Sequence, residues 1–305
     1  MKILITGGAG FIGSHLVEHY HNQAEVVVLD DFRTGNRANL SGFRCEVING
    51  SILDKGLLDG LMSGVDYVFH LAALVSVPES MVLHEETVDI NVRGLLNVLA
   101  SAKKHNVRKL CFASSAAVYG ESPVQPKDEN MAPDPRSPYG ITKLDGEFYC
   151  SLYTREGWLE TAALRFFNVF GPRQDPAGSY AAAVPIFIQR ALAGRPITIF
   201  GDGGQTRDFI YVKDSVGALQ FLAHSQGVTG VFNAGYGQSM SIAELAKLII
   251  EEAGSVSTIE NEPERIGDIR HSRSCPLKLM HAGWCPAHGV RNGLKATVMA
   301  YRFES

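Results

Sequence analysis

Short apolar runs rich in β-branched residues alternate along the first half of the chain with stretches whose apolar positions recur at helical spacing. Lys2-Ile-Leu-Ile-Thr6, Glu25-Val-Val-Val-Leu-Asp30, Cys45-Glu-Val-Ile-Asn49, Asp66-Tyr-Val-Phe-His-Leu71 and Lys109-Leu-Cys-Phe-Ala113 are of the first kind. Each reads as a buried parallel strand. Ser14 to Tyr20 and Glu86 to His105 are of the second kind. Strands alternating with helices predict an α/β protein built on a doubly wound parallel sheet. After Gly171-Pro172-Arg173 the alternation lapses. A loop over 174–180, a helix over 181–193 and a strand over 195–200 read as pieces of a smaller, interleaved domain. A helix from Asp214 to His224 and a strand from Gly230 to Ala234 are expected to return to the sheet. The expected division is therefore 1–170 with 213–235 for the larger domain, and 171–212 with 236–305 for the smaller. The amphipathic stretch Ile242 to Ile250 reads as core.

Composition narrows the function. The chain has 305 residues, a formal net charge of −4, 45% hydrophobic and 20% charged residues. A pI near 6.2 argues against a nucleic-acid-binding surface. No run of about 18 apolar residues occurs, so no membrane span is expected. Met1-Lys2 leads straight into a strand, and no signal peptide is expected. Five scattered cysteines, an odd number, suggest reduced thiols and a cytoplasmic location. Cys275, Cys285, His281 and His288 cluster near the C-terminus, but their spacing matches no usual zinc site, and no metal is expected.

Candidate chemistry begins where the first strand ends. Gly7-Gly-Ala-Gly10-Phe-Ile-Gly13 opens a helix. Gly7 suits the tight turn, Gly10 the approach of a pyrophosphate, and Gly13 close packing of helix on strand. Asp30 ends the next strand seventeen residues beyond Gly13. A carboxylate there accepts from both ribose hydroxyls and repels a 2′-phosphate, favouring NAD over NADP; Arg33 softens that preference without reversing it. Gly50-Ser-Ile-Leu-Asp54 would lie by the adenine, and the small residues Ala72 and Ala73 suit a backbone passing close to the cofactor. Ser115, at a strand end, is placed to hydrogen-bond a hydroxyl or carbonyl, although such a serine often only satisfies a turn. Tyr139 and Lys143 are four residues apart, one turn on a helix face. That spacing alone is common on solvated helices. Beside a dinucleotide site and Ser115 it becomes a phenol whose pKa an ammonium can draw down, a base for a hydroxyl proton.

The chain resembles the extended short-chain dehydrogenase/reductase family. The match is carried by Thr6-Gly-Gly-Ala-Gly-Phe-Ile-Gly13, Asp30, His70-Leu-Ala-Ala73, Ser115, Tyr139-x-x-x-Lys143, Leu164-Arg-Phe-Phe-Asn-Val-Phe-Gly-Pro-Arg173 and Gly201-Asp-Gly-Gly-Gln-Thr-Arg-Asp-Phe-Ile-Tyr-Val212. Within that family it is similar to the nucleotide-sugar 4-epimerases. The resemblance implies a Rossmann domain with NAD held by Gly7, Gly10, Phe11, Ile12, Gly13, Asp30, Asp31, Phe32, Gly35, Ser51, Ile52, Leu71, Ala72, Ala73, Asn91, Ser114, Tyr139, Lys143 and Phe166. It implies Ser115, Tyr139 and Lys143 as catalytic residues. Tyr139 would take the 4-hydroxyl proton as the C4 hydride passes to NAD, and the 4-keto sugar would turn and receive the hydride on its other face. For the UDP-sugar it implies Ser115, Asn168, Val184, Ile199, Arg207, Tyr211, Arg265, Asp268 and Ser272, with both arginines on the diphosphate.

Members that eliminate water or carbon dioxide usually carry acidic residues just after the catalytic Ser or Thr. Here Ala116 and Ala117 stand there, which argues for epimerisation. Ser272 aligns with a sugar-pocket gatekeeper that is a bulky Tyr in glucose-only relatives. The small residue, with Phe167-Asn-Val-Phe-Gly-Pro-Arg-Gln-Asp-Pro176, favours UDP-GlcNAc/UDP-GalNAc, with UDP-Glc/UDP-Gal also accepted. The alternatives are a UDP-glucuronate 4-epimerase, a dehydratase or decarboxylase, and a non-catalytic NAD-sensing protein. By the same analogy, helices beginning near Glu86 and Tyr139 would form a homodimer interface.

Overall fold

The computed structural model describes residues 1–176, 182–264 and 270–304. Strands β1 (Lys2–Thr6), β2 (Glu25–Asp30), β3 (Glu46–Asn49), β4 (Tyr67–His70), β5 (Lys109–Ser115) and β6 (Glu160–Phe166) run through the first half. Shorter strands follow: β7 (Asn168–Phe170), β8 (Ile197–Phe200), β9 (Thr206–Arg207), β10 (Phe209–Tyr211), β11 (Gly230–Ala234), β12 (Met240–Ser241) and β13 (Ile259–Glu262). The sheet order is β11-β6-β5-β4-β1-β2-β3, with every pairing parallel. The expected doubly wound sheet is what forms, and β11 lies at its edge beside β6. Strand β5 runs two residues past the expected Ala113, which makes Ser115 its last residue.

Helices α1 (Phe11–Tyr20), α2 (Lys55–Leu61), α3 (Val77–Ser80), α4 (His84–Val88), α5 (Gly94–Lys104), α6 (Pro138–Arg155), α7 (Ala183–Leu192) and α8 (Val212–His224) come next, then α9 (Ile242–Ala253), α10 (Leu277–His281) and α11 (Val290–Glu304). The long helix expected from Glu86 to His105 is α4 and α5 joined by a wider π turn over Asp89–Arg93. Side chains alternate between the two faces of the sheet. Ile3 and Ile5 pack with Leu16, Val17 and Leu219 of α1 and α8, whereas Leu4 packs with Leu58, Val98 and Leu99 of α2 and α5. Both faces are therefore dry, which is why the strands read as continuous apolar runs rather than alternating ones.

Among the described residues, the remaining strands form three two-stranded sheets: β10 with β7, β12 with β9, and β13 with β8. A separate core, with Val184, Ile188, Ile197, Leu245, Ile249 and Val298, holds α7, α9 and α11 against them. The strand expected over 195–200 begins at Ile197, and the helix expected over 181–193 is described from Ala183 to Leu192.

Candidate active site

The glycine turn is a matter of space. Gly7 has φ +71°, and a Cβ on it would stand 2.7 Å from the backbone nitrogen of Ala72. A Cβ on Gly13 would stand 2.2 Å from the Gly7 carbonyl oxygen, so helix and strand meet at a distance only glycine permits. Gly10 is the N-cap of α1 without a side-chain cap. Its N–H bonds to Gly7, and that of Ser14 bonds to Gly10. Among the described residues, the N–H groups of Phe11, Ile12 and Gly13 are left for a ligand, at the positive end of the helix. Asp30 is buried at the end of β2. Its oxygens accept from the N–H of Ala9 at 2.8 Å and of Phe32 at 2.9 Å. Burial raises its pKa, and those two donors partly offset the rise. A carboxylate has about four acceptor positions, so capacity for ribose hydroxyls remains. These residues fit a dinucleotide.

Serine, tyrosine and lysine come together across β5 and α6. Ser137 caps α6, accepting from Gly140 N–H at 3.1 Å, and Pro138 occupies the first turn. This places Tyr139 and Lys143 on the face toward β5. Lys143 is almost fully buried; its Nζ donates to the Ala113 carbonyl at 2.8 Å and lies 5.6 Å from the centre of the Tyr139 ring. Burial lowers its pKa to about 8. Ser115 hydrogen-bonds the Tyr139 phenol and accepts from Ala117 N–H at 3.1 Å, so it serves the turn and the site at once. The phenol differs from the expectation. Burial raises its pKa and the Ser115 hydrogen bond only partly opposes that, while the ammonium is turned onto the Ala113 carbonyl. His70, stacked on Phe112 and bonded to Thr6 Oγ1 at 2.8 Å, is held neutral, its pKa lowered to about 3 by burial and then by Lys143.

A cavity of about 2060 Å³ runs past the glycine turn, Asp30, Ser115, Tyr139 and Lys143. Its wall includes Gly7, Gly10, Phe11, Ile12, Gly13, Asp30, Asp31, Gly35, Ser51, Ile52, Leu71, Ala72, Ala73, Ser114, Ser115, Tyr139, Lys143 and Phe166. At the far end it includes Asn168, Val184, Ile199 and Arg207.

Four residues expected in contact with ligands stand off that wall. Phe32 has φ +59°, which turns its ring under the Arg37 guanidinium at 4.5 Å. Asn91 is buried, bonded to both the N–H and the carbonyl of Leu74 and to Thr142, and so holds the loop after β4. Tyr211 packs between the Phe170 and His288 rings. Ser272 pairs through its N–H with the Thr206 carbonyl at 3.0 Å. Arg265 and Asp268 lie outside the described residues.

Two features of the site leave no signal in the sequence. Arg33 pairs with Glu79 at 2.9 Å and with Glu86, joining the loop after β2 to α3 and α4 at the cavity rim. No spacing announces a contact across half a sheet. Arg173 has φ +65° and reaches Ser14 and Asn39 carbonyls, His15 and Glu18, pinning α1 to the loop after β7. Among the described residues, no helix is long and apolar enough to cross a membrane, and no three His, Cys, Asp or Glu side chains group as for a metal.

A doubly wound sheet with a glycine turn, a strand-end acid and a Ser–Tyr–Lys group defines a dinucleotide enzyme of the short-chain dehydrogenase/reductase kind. The sequence profile of the NAD dependent epimerase/dehydratase family matches residues 3–235, and the chain belongs to that family. It is similar to the putative UDP-glucose 4-epimerase of Methanocaldococcus jannaschii, 39% identical over 299 residues and 97% of each chain. Among solved structures it is similar to the UDP-N-acetylglucosamine 4-epimerase of Methanobrevibacter ruminantium in complex with UDP-N-acetylmuramic acid. That match has a TM-score of 0.96 and 36% identity, over 100% of this chain and 99% of the other. The UDP-glucose 4-epimerase of Thermotoga maritima, with UDP-glucose, matches at a TM-score of 0.94 and 39% identity, over 100% and 99%.

Proposed function

We propose that this NAD-dependent enzyme is a UDP-sugar 4-epimerase that inverts C4 through a transient 4-keto sugar. The observation that carries the reading is the meeting of Ser115, Tyr139 and Lys143 on the wall of a cavity that also holds the glycine turn. When bound along Gly7–Gly13 and Asp30, NAD would supply the hydride acceptor and donor. Tyr139 Oη takes the proton of the sugar 4-hydroxyl and later returns it. Ser115 Oγ, already bonded to the phenol, orients the same sugar oxygen. Lys143, charged below about pH 8, would favour the phenolate once its ammonium turns from the Ala113 carbonyl toward the phenol. Ala116 and Ala117 offer no group for elimination, so the keto sugar is not diverted.

Asn168 and Arg207 would face the diphosphate, and Val184 and Ile199 the uracil. Arg265, Asp268, Tyr211 and Ser272 complete the set that the family resemblance implies. The same reading assigns 1–170 with 213–235 to the cofactor, and 171–212 with 236–305 to the substrate. For the sugar we favour UDP-GlcNAc/UDP-GalNAc, with UDP-Glc/UDP-Gal also accepted; the Phe167–Pro176 stretch and the likeness to an N-acetylglucosamine epimerase support this. A homodimer through α4 and α6 is part of the proposal. Ile141 and Phe148, seven apart on α6, are 48% and 62% exposed, and Val88 of α4 is 48% exposed. The unpaired cysteines fit a reducing, cytoplasmic setting.

The test incubates the protein with UDP-GlcNAc, UDP-Glc and UDP-GlcA without added NAD and follows the C4 epimer by proton NMR. Absence of product from all three overturns the reading. Tyr139→Phe is expected to lower kcat by about a thousandfold with NAD still bound; full activity would remove Tyr139 as the base.

A further inference from the structure

Behind the cavity wall lies an ion pair that the proton-transfer steps do not use. Glu147 stands one turn beyond Lys143 on α6 and is almost fully buried. Arg165 of β6 meets it twice, Nε to Oε1 at 2.8 Å and Nη2 to Oε2 at 2.7 Å. Ser114 Oγ donates to the same Oε1. Both neighbours of Ser114 belong to the site, since the Ala113 carbonyl holds Lys143 and Ser115 bonds the phenol. On its other side Arg165 covers the Tyr119 ring at 4.7 Å, and the Tyr119 hydroxyl donates to Asn233 of β11 at 2.7 Å. A buried ion pair adds little stability over an apolar pair of equal volume, so stability is a weak account of these charges. What the pair supplies is geometry and neutrality.

We propose that Glu147 and Arg165 are positioning residues for the proton-transfer group. Glu147 holds the end of β5 through Ser114, and Arg165 cancels its charge, so that Tyr139 and Lys143 face no net negative charge from that direction. The inference rests on the roles given above to those two residues. The other titratable groups packed around them are neutral near pH 7. His70 of β4 is lowered to about 3, Cys111 of β5 and Tyr119 are raised to about 12, and Cys150 of α6 is raised well above its usual range, all chiefly by burial. Lys109 stands at the opposite end of β5. Glu129, which accepts from the Asn233 N–H at 2.7 Å, is common to every variant below.

The experiment measures the pH profile of kcat for the wild type, Glu147→Gln, Arg165→Met and the double variant. Removing the carboxylate leaves the guanidinium uncompensated, which favours the phenolate and disfavours the ammonium. Both pKa values fall, and the whole profile moves to lower pH by about one unit. Arg165→Met leaves the carboxylate uncompensated and moves the profile to higher pH by a similar amount. The double variant returns to within about 0.3 unit of the wild type. KM for the UDP-sugar stays within about threefold throughout. Titration of the Tyr139 phenol, by ultraviolet difference against each variant's Tyr139→Phe counterpart, reports the same displacements without turnover. It therefore separates failure of this inference from failure of the epimerase reading. If Arg165→Met does not fold, the fall in Glu147→Gln and its recovery in the double variant carry the test. Profiles and phenol titrations that superimpose on the wild type, or that all move the same way, overturn the proposal.

Discussion

Along the glycine turn the cavity wall is mostly backbone, drawn from the ends of neighbouring parallel strands. At the far end Val184 of helix α7 is joined by Ile199 and Arg207, side chains from strands only two to four residues long whose partners lie far away in the chain. Strand β8 pairs with β13, and β9 with β12. The first region is held by a seven-stranded sheet whose five inner strands, β6, β5, β4, β1 and β2, are almost wholly buried. The second has a smaller core of its own and leans as well on single polar ties. Asp208 is the strongest of them, fully buried and accepting from Tyr236 N–H at 2.7 Å, Gly237 N–H at 3.0 Å, Ser274 N–H at 2.9 Å and the Ser274 hydroxyl. The cofactor side is thus set by steric exclusion in a continuous sheet, and the opposite side by a smaller apolar core together with hydrogen bonds between distant segments. A fault in the first should spread through the molecule, and a fault in the second should stay local.

Gly13→Ala gives the largest expected effect on that contrast. Its Cβ would meet backbone atoms that cannot yield without moving α1, so NAD affinity should fall at least about a hundredfold. The check is the amount of nucleotide retained on purification and NAD binding by calorimetry. Asp208→Ala should cost about 3 kcal/mol in urea unfolding, because it strands four donors. Hydrogen exchange should speed up in β9, β12 and the 236–237 loop while the seven-stranded sheet stays protected. Uniform loosening would erase the distinction between the two regions.

Acidification tests the sheet side alone. Burial holds folded His70 near 3, while the unfolded chain takes up a proton near pH 6.5. Its contribution is therefore present above about pH 6.5 and lost as the pH falls toward 3. Urea midpoints measured at pH 7 and pH 5 should drop less in His70→Phe than in the wild type. Arg33→Ala is the smallest test. Its pairs with Glu79 and Glu86 are partly exposed, so the unfolding midpoint should not move measurably and NAD release should change by less than about threefold.

Much of the cofactor side could be read from the chain because its determinants are local. A strand, three glycines, a helix and a strand-end acid lie within Lys2–Asp30, and each has one steric or electrostatic purpose. Ser115, Tyr139 and Lys143 were legible for the same reason, as a strand end and a helix start with known directions. The surroundings of Asn91 could not be read because a buried asparagine serves a loop as readily as a ligand, nor those of Phe32 because a positive φ reverses where a side chain points. Glu147 and Arg165 carried no signal. An acid on a helix and an arginine near a strand usually face water, and only the packing of α6 across β5 and β6 brings them together.

Hydrophobic periodicity by itself determined the doubly wound sheet, since a strand buried on both faces and a helix with one apolar face leave few other arrangements. Glycine spacing and the strand-end acid determined where a dinucleotide fits. The protonation state of the site belongs to the tertiary structure. Whether Tyr139 lies above or below its ordinary pKa depends on burial, on the Ser115 hydrogen bond and on where the Lys143 ammonium points. Those are sums over groups from several strands and helices, and electrostatic energy follows distance in space rather than separation along the chain.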